Sequence, residues 1–343
     1  MEKYFIPEDI IKSVGARKAL GINEDIKRKH KIDYQIFFPD INPNIGLPTG
    51  STSIISTSEF LDPSFIGHDI GCGYKLTSVK INPETFQKKK SINKKKTDRL
   101  TKELSDLITT NYNHFIGKGN HFVDIMIPDI VYSKQHKHFK NNIFIFVHSG
   151  SGEEGYKTFL KHKNQSINNS AYIKDFKRKV DLAKKNRDNL TQTALQYFKS
   201  KYEHNISYEE LINTPHNQIV EFGDYYRVQK GTQEFENGLA IIAGNPTDFS
   251  YIVSPGRELH ESLDTINHGC GRLMDTSKTK RRFGKKDVEK MFRDVSLNVP
   301  YSNAIEQAPA AYRSSTPIVN YLQEQGLVKK VARLKPISVI MEN

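Results

Sequence analysis

Gly67-His68-Asp69-Ile70-Gly71-Cys72-Gly73 places a carboxylate and a thiol three residues apart, with glycine on both sides of the cysteine. Glycine there permits a turn tight enough for both side chains to face one metal ion or a pair. Taken alone, an Asp-x-x-Cys of this kind is as well read as a glycine-rich turn around a buried, inert cysteine. Its flanks are distinct: Phe60-Leu61-Asp62-Pro63-Ser64 reads as a loop, and Tyr74-Lys75-Leu76-Thr77-Ser78-Val79 alternates as a strand does. Further along, Gly119-Asn120-His121-Phe122, Val147-His148-Ser149-Gly150-Ser151-Gly152 and Asn267-His268-Gly269-Cys270-Gly271-Arg272 each put a histidine beside glycine or asparagine, and Pro215-His216-Asn217 adds another. Each histidine alone fits a hydrogen-bonded structural role. Their recurrence in loops at strand ends favours metal ligands, because a sheet fixes the ring while a loop leaves a ring nitrogen accessible.

Around these stretches the chain has 343 residues, a net charge of +12 and a pI near 9.3. No break in composition divides it, so one domain over 1–343 is expected. A basic surface concentrates polyanions, and nucleic acid is the natural partner. Cys72 and Cys270 both lie in Gly-Cys-Gly, unlike a secreted disulfide framework, although one disulfide between them is an alternative. The start, Met1-Glu2-Lys3-Tyr4-Phe5-Ile6-Pro7, carries early charges, and no run reaches the roughly 18 apolar residues of a spanning helix. The expectation is a soluble, cytoplasmic protein with no membrane partner.

The periodicity predicts a short helix over 7–20 and a buried strand at Tyr34-Gln35-Ile36-Phe37-Phe38 that stops at Pro39-Asp40-Ile41-Asn42-Pro43. Gly46, Pro48 and Gly50 then punctuate a long loop leading towards Asp69. Between 87 and 106, Lys88, Lys89, Lys90, Lys94, Lys95, Lys96, Arg99 and Lys102 surround sparse apolar residues; they make a solvated helix face or a phosphate-contacting one. Ile143-Phe144-Ile145-Phe146-Val147 fits a strand buried on both faces. A long amphipathic helix follows over 172–202, in which Asn186-Arg187 is unremarkable by pattern. The remainder is β-rich, with short strands at 225–228, 239–242 and 250–253. At 267–272 the alternating glycines let backbone N–H groups turn towards an anion and Arg272 offers a fork to a phosphate, the plain alternative being a glycine turn before a helix. The class is α+β, with mixed and antiparallel sheets flanked by helices.

Read together and in order, these blocks resemble the RtcB family of GTP-dependent RNA ligases. Asp69-Ile70-Gly71-Cys72-Gly73 resembles its Asp-x-x-Cys-Gly motif, Gly119-Asn120-His121-Phe122 its Gly-Asn-His-Phe, His148-Ser149-Gly150-Ser151 its His-Ser-Gly-Ser, and His216-Asn217 its His-Asn. Asn267-His268-Gly269-Cys270-Gly271-Arg272 is similar to Ser-His-Gly-Ala-Gly-Arg. Softer matches are Asn186-Arg187, Lys230-Gly231, Ser250-Tyr251 and Ala311-Tyr312-Arg313.

The resemblance implies a single domain built around a central metal site. Asp69, Cys72, His121, His148 and His216 would hold two Mn²⁺ ions with the Cys72 thiolate bridging, although the residue types alone suit Zn²⁺ equally. His268 would take GMP from GTP and pass it to an RNA 3′-phosphate, itself opened from a 2′,3′-cyclic phosphate where needed, before a 5′-hydroxyl attacks and GMP leaves. Asn120, Asp124, Lys230, Ser250, Gly269, Cys270, Gly271, Arg272 and Tyr312 would contact the nucleotide, with Tyr312 stacking on guanine. The implied partners are broken tRNA or rRNA ends and an archease-type activating protein. The chain departs from the family at Asn42 (for histidine), Asp124 (for a longer acid), Gly152 (for arginine) and Met341-Glu342 (for Lys-Gly). The same residues also fit a metal-dependent RNA phosphoesterase, or an RNA-binding homologue that does not ligate.

Overall fold

The computed structural model describes residues 1–88, 91–111, 114–163, 169–202 and 205–342, so Lys89 and Lys90 of the basic run lie outside the described residues. In chain order the strands are β1 (Glu2–Tyr4), β2 (Tyr34–Asn42), β3 (Thr49–Ser56), β4 (Gly73–Val79), β5 (Gln87–Lys88), β6 (Ser91–Ile92), β7 (Phe122–Val131), β8 (Ile143–Ser149), β9 (Tyr208–Pro215), β10 (Asn217–Phe222), β11 (Tyr225–Lys230), β12 (Thr232–Gln233), β13 (Ala240–Ile242), β14 (Ser250–Pro255), β15 (Ile266–Asn267), β16 (Ser296–Leu297) and β17 (Val328–Ile340). The helices are α1 (Glu8–Ile11), α2 (Val14–Lys27), α3 (Lys94–Thr110), α4 (Gly152–Lys163), α5 (Asn169–Lys201), α6 (Thr276–Arg282), α7 (Lys285–Met291) and α8 (Ser315–Glu324). The class is α+β, as expected.

The apolar run 143–147 becomes β8 and fixes the larger sheet, whose order is β13-β14-β17-β7-β8-β4-β9 with β16 beside β17. Ile143, Ile145 and Val147 point to one face, where α3 and α5 supply Leu100, Leu104, Leu190, Ala194 and Phe198. Phe144 and Phe146 point to the other, among Tyr74, Leu76, Ile212, Ile252 and Leu334. Period-two alternation with apolar residues in both registers is what a strand covered on both faces requires. Burying each such side chain contributes about 1.5–3 kcal/mol before entropy is subtracted. The second sheet runs β1-β2-β3-β11-β10.

Two sequence expectations are corrected here. The stretch 7–20 is two helices, because Ser13 takes an extended conformation and accepts from the Ala16 N–H at 3.3 Å, starting α2 afresh; α2 then continues to Lys27. The long loop expected after Pro39 is instead the end of β2 and the whole of β3, with the pairing register shifting between Phe37 and Asn42. β3 was hidden because its buried positions are polar. Thr52 Oγ1 lies 2.8 Å from Thr232 Oγ1 and 2.9 Å from Thr265 Oγ1, so hydroxyl pairs replace the apolar alternation that marks a strand.

The basic run on α3 is solvated: Lys94 pairs with Asp98, and Arg99 Nε with Glu103 at 2.8 Å, while Leu100, Leu104 and Ile108 face inward. Cys72 and Cys270 are both buried free thiols, so the alternative disulfide is not formed. Among the described residues no helix is long and apolar enough to cross a membrane.

Candidate metal centre

Strand register brings the dispersed histidines together. In the larger sheet His148 stands opposite Tyr74 of β4 and Phe122 of β7, which puts it next to the Cys72 turn on one side and His121 on the other. The Cys72 carbonyl accepts from the His216 N–H at 2.8 Å, closing the β9–β10 junction onto the same turn. The result is two overlapping triads. Cys72, His148 and His216 are all buried, and Asp69, Cys72 and His121 lie towards the surface; within each, the candidate ligand atoms are all within 4.8 Å of one another. Cys72 belongs to both.

The protonation pattern of this cluster calls for a cation. Nδ1–H of His121 donates to the Lys118 carbonyl and Nδ1–H of His148 to the Asn120 carbonyl, both at 2.9 Å. Each ring is thereby held with a bare Nε2, 3.0 Å (His121) and 3.1 Å (His148) from Cys72 Sγ. His148 Nε2 is also 3.3 Å from His216 Nε2. Burial drives the imidazoles of His148 and His216 well below their usual pKa, so both are neutral. Burial, reinforced by Asp69, pushes the Cys72 thiol well above its own, a penalty that a coordinating metal reverses. Ring nitrogens converging on one sulfur fit a metal ion, and mixed O, N and S ligands fit an intermediate first-row divalent ion.

Asn186 and Arg187 hold this cluster from behind, a role that sequence pattern did not reveal. The Arg187 side chain is fully buried within α5; its Nη1 donates to the Gly71 carbonyl at 2.9 Å and the Ser149 carbonyl at 3.0 Å, and its Nε to Asn213 Oδ1 at 3.0 Å. Three ligand-bearing segments are thus tied to one guanidinium. Asn186 donates to the Phe115 carbonyl at 2.9 Å and to Ser149 Oγ at 2.8 Å.

His268 follows β15 and lines a cavity of about 670 Å³ that also borders Tyr74, Asn120 and His148. Its Nδ1–H is shared between Asp40 Oδ2 at 2.6 Å and the Gly231 carbonyl at 2.8 Å, so Nε2 is the nitrogen left for chemistry. Asp40 is fully buried. Gly271, at φ +70°, leaves the space beside it: a Cβ there would fall 2.7 Å from Asp40 Cα. By sequence pattern Asp40 is only strand-ending punctuation beside Pro39, two residues before the family departure at Asn42. Tyr74 was likewise read only as strand; its ring packs 4.8 Å from that of His148 and 4.7 Å from that of His216.

The expected nucleotide contacts divide on the structure. Asn120, Asp124, Ser250, Gly269, Cys270, Gly271, Arg272 and Tyr312 line the cavity, together with Met341. Lys230 does not: its buried ammonium donates to the Ile66 carbonyl on the Asp69 side of the cluster, and burial lowers its pKa to about 8. Arg272 has its donors occupied, by the Met274 carbonyl at 2.9 Å, the Glu306 carbonyl at 2.8 Å, Tyr312 Oη at 2.7 Å and Thr279 Oγ1 at 3.2 Å. Its guanidinium also stacks 4.6 Å from the Tyr312 ring, so it braces that ring rather than offering a free fork. Ser250 Oγ accepts from the Gly244 N–H at 3.0 Å and shapes the wall. Burial raises the thiol of Cys270 to about 12 and the carboxyl of Asp124 far above the usual carboxylate range. The Asp124 acid is therefore neutral, and its Oδ1 is buried with no hydrogen-bond partner.

Comparison with known proteins points one way. A family model described as tRNA-splicing ligase RtcB matches residues 157–342, a stretch that contains His216 and His268. The chain is 26% identical over 344 residues to the RNA-splicing ligase RtcB2 of Escherichia coli, covering 87% of this chain and 85% of that protein. It is 25% identical over 281 residues to the tRNA-splicing ligase RtcB of Nanoarchaeum equitans, covering 66% of this chain and 58% of that protein.

Proposed function

We propose, from the premise that this chain belongs to the RtcB family of tRNA-splicing ligases, that its site joins an RNA 3′-phosphate, or a 2′,3′-cyclic phosphate once opened, to a 5′-hydroxyl through a guanylylated His268. The observation that carries the reading is the fixed direction of that imidazole: Nδ1–H is held by Asp40 and Gly231, and the ring stands in the cavity wall beside the Cys/His cluster.

Nε2 of His268 attacks the α-phosphorus of GTP, forming an N–P bond as the P–O bond to pyrophosphate breaks. The ring gains positive charge in that step, and the Asp40 carboxylate at Nδ1 stabilises it without taking the proton. An oxygen of the RNA 3′-phosphate then displaces Nε2, carrying GMP onto the RNA and returning His268 to its neutral form. The 5′-hydroxyl attacks the activated RNA phosphorus, GMP departs, and the phosphodiester is complete. Asp69, Cys72, His121, His148 and His216 would hold Mn²⁺, which when bound neutralises phosphate charge and polarises the phosphoryl oxygens. The braced Tyr312 ring offers a face for the base, the glycine backbone at 269–271 offers N–H groups to phosphates, and the net charge of +12 favours RNA.

The test is incubation with Mn²⁺ and α-labelled GTP or ATP, followed by denaturing electrophoresis. Acid-labile label from GTP on the wild type, absent from His268→Ala with metal content unchanged, is the expected result. Label from ATP alone would keep the mechanism and replace the cofactor. A second reading, an RNA phosphoesterase without ligation, is favoured by the uncharged Met341 in the cavity wall; cyclic phosphate opened with no label from either nucleotide would establish it.

A further inference from the structure

The ring order along the cluster gives it an inner and an outer end. Centroids of His121 and His148 are 4.8 Å apart, those of His148 and His216 5.0 Å, and those of His216 and His268 4.5 Å. His268 is at the inner end, and the cavity runs past it to Asn120 and Phe122, on either side of His121. Asp69 and His121 are at the outer end, where the Asp69 side chain is 36% exposed.

Exposed rings stand around that outer end, and the ligase mechanism above gives them no task. Phe115 is 37% exposed and Tyr156 48%, and the exposed His68 ring is 6.1 Å from that of Tyr156. Their supports are rigid. The Phe115 N–H donates to Asn186 Oδ1 at 3.0 Å, and its carbonyl accepts from Asn186 Nδ2 and Ser149 Oγ. Its ring lies over Gly152, where φ is +56° and a Cβ would fall 2.6 Å from the ring. One turn further along α4, Tyr156 is carried by a segment whose Gly155 packs on the His68 carbonyl, next to Asp69. The carboxylates of the same turn are neutralised, Glu153 by Lys157 and Glu154 by Lys157 and Lys179, so the rings do not repel a polyanion. Lys118, exposed, follows three residues after Phe115.

We infer that Phe115 and Tyr156 form the platform on which the last nucleobase of the RNA strand bearing the 3′-phosphate stacks; this rests on the ligase reading above. Of the candidate ligands Asp69 is the most exposed, so a terminal phosphate drawn to this cluster arrives at the Asp69 end. A strand arriving there places its terminal base among these rings. Aromatic faces accept any base, so the platform confers grip with little sequence preference, strongest for purines.

The experiment uses the full-length protein and two RNAs, one with 2-aminopurine as the last base before the 3′-phosphate and one with it as the first base after the 5′-hydroxyl. Wild type quenches the first probe. Phe115→Ala and Tyr156→Ala each lose most of that quenching and raise the KM for 3′-phosphate RNA by about tenfold with kcat little changed, while Phe115→Tyr restores both. Thermal unfolding midpoints check that the variants fold, and Tyr156→Ala, on an exposed helix face, removes a ring without disturbing Gly152. Quenching of the 5′ probe alone, or quenching and KM unchanged in both alanine variants, overturns the platform. Guanylate labelling of the wild type separates the two readings: label with no quenching condemns the platform alone, and quenching with no label condemns the ligase reading alone.

Discussion

The imidazoles of His268 and His216 are 4.5 Å apart and hold opposite commitments. His268 Nδ1–H has two acceptors, one of them a buried carboxylate. His216 Nδ1 has no hydrogen-bond partner, and its Nε2 faces the bare nitrogen of His148. The first ring is aimed by the protein. The second is left incomplete, with a buried ring nitrogen that has no partner, and such a group is costly unless something else satisfies it. The proposed nucleophile and the candidate ligand thus differ in what their second nitrogen does rather than in residue type.

Removing the shared thiolate tests the incomplete side most severely. Cys72→Ala should empty both triads, seen as loss of manganese by elemental analysis after dialysis; a variant retaining one full equivalent would break the contrast, since Cys72 would then not be common to both. Next in size is the aimed side. Asp40→Asn should lower the rate of guanylate transfer to His268 by roughly 10²–10⁴ while metal content is unaffected, because the amide no longer favours the same tautomer nor stabilises the charged ring. A parallel fall in metal content would mean that Asp40 serves the cluster instead.

Arg187→Met comes third. It leaves the Gly71 and Ser149 carbonyls without their donor, so metal affinity should drop about 10- to 100-fold and stability by roughly 2–4 kcal/mol, read by metal titration and denaturant unfolding. The smallest effect lies far from both rings. Arg99, then Lys201 and Tyr197, hold the Glu103 carboxyl down to about 2. A depressed acid contributes stability above its unfolded pKa, and that contribution fades as pH falls from about 4.5 towards 2. Glu103→Gln should flatten the acid limb of the stability curve by at most about 1 kcal/mol, as expected of an ion pair near the surface. A flattening several times larger would show that α3 and α5 clamp the metal cluster more directly than their contacts indicate.

Legibility followed chemistry more than shape. The candidate ligands stood out because Asp69, Cys72, His121, His148 and His216 lie in glycine- or asparagine-flanked turns whose residue types have few other uses in concert. β8 was visible because apolar residues filled both of its faces. β3 was not, since Thr52 and its neighbours bury hydroxyls that read as loop. Arg187 was flagged only by the soft family match, because by pattern an arginine in a lysine-rich helix signals solvent, and the packing of α5 against Gly71 and Ser149 turns it inward. Lys230 is a different case: a motif match says that a lysine matters without saying that its ammonium turns to the Ile66 carbonyl, away from the cavity wall.

The position of β17 carries a consequence for how the protein comes into being. This strand lies between β14 and β7, and the residue just after it, Met341, closes the cavity wall. During synthesis its neighbours emerge first and must wait with unpaired edges until its residues arrive. The cavity wall is not complete before then. A nascent chain on the ribosome, surrounded by RNA, therefore cannot act on that RNA until the last strand has been threaded into the middle of the sheet.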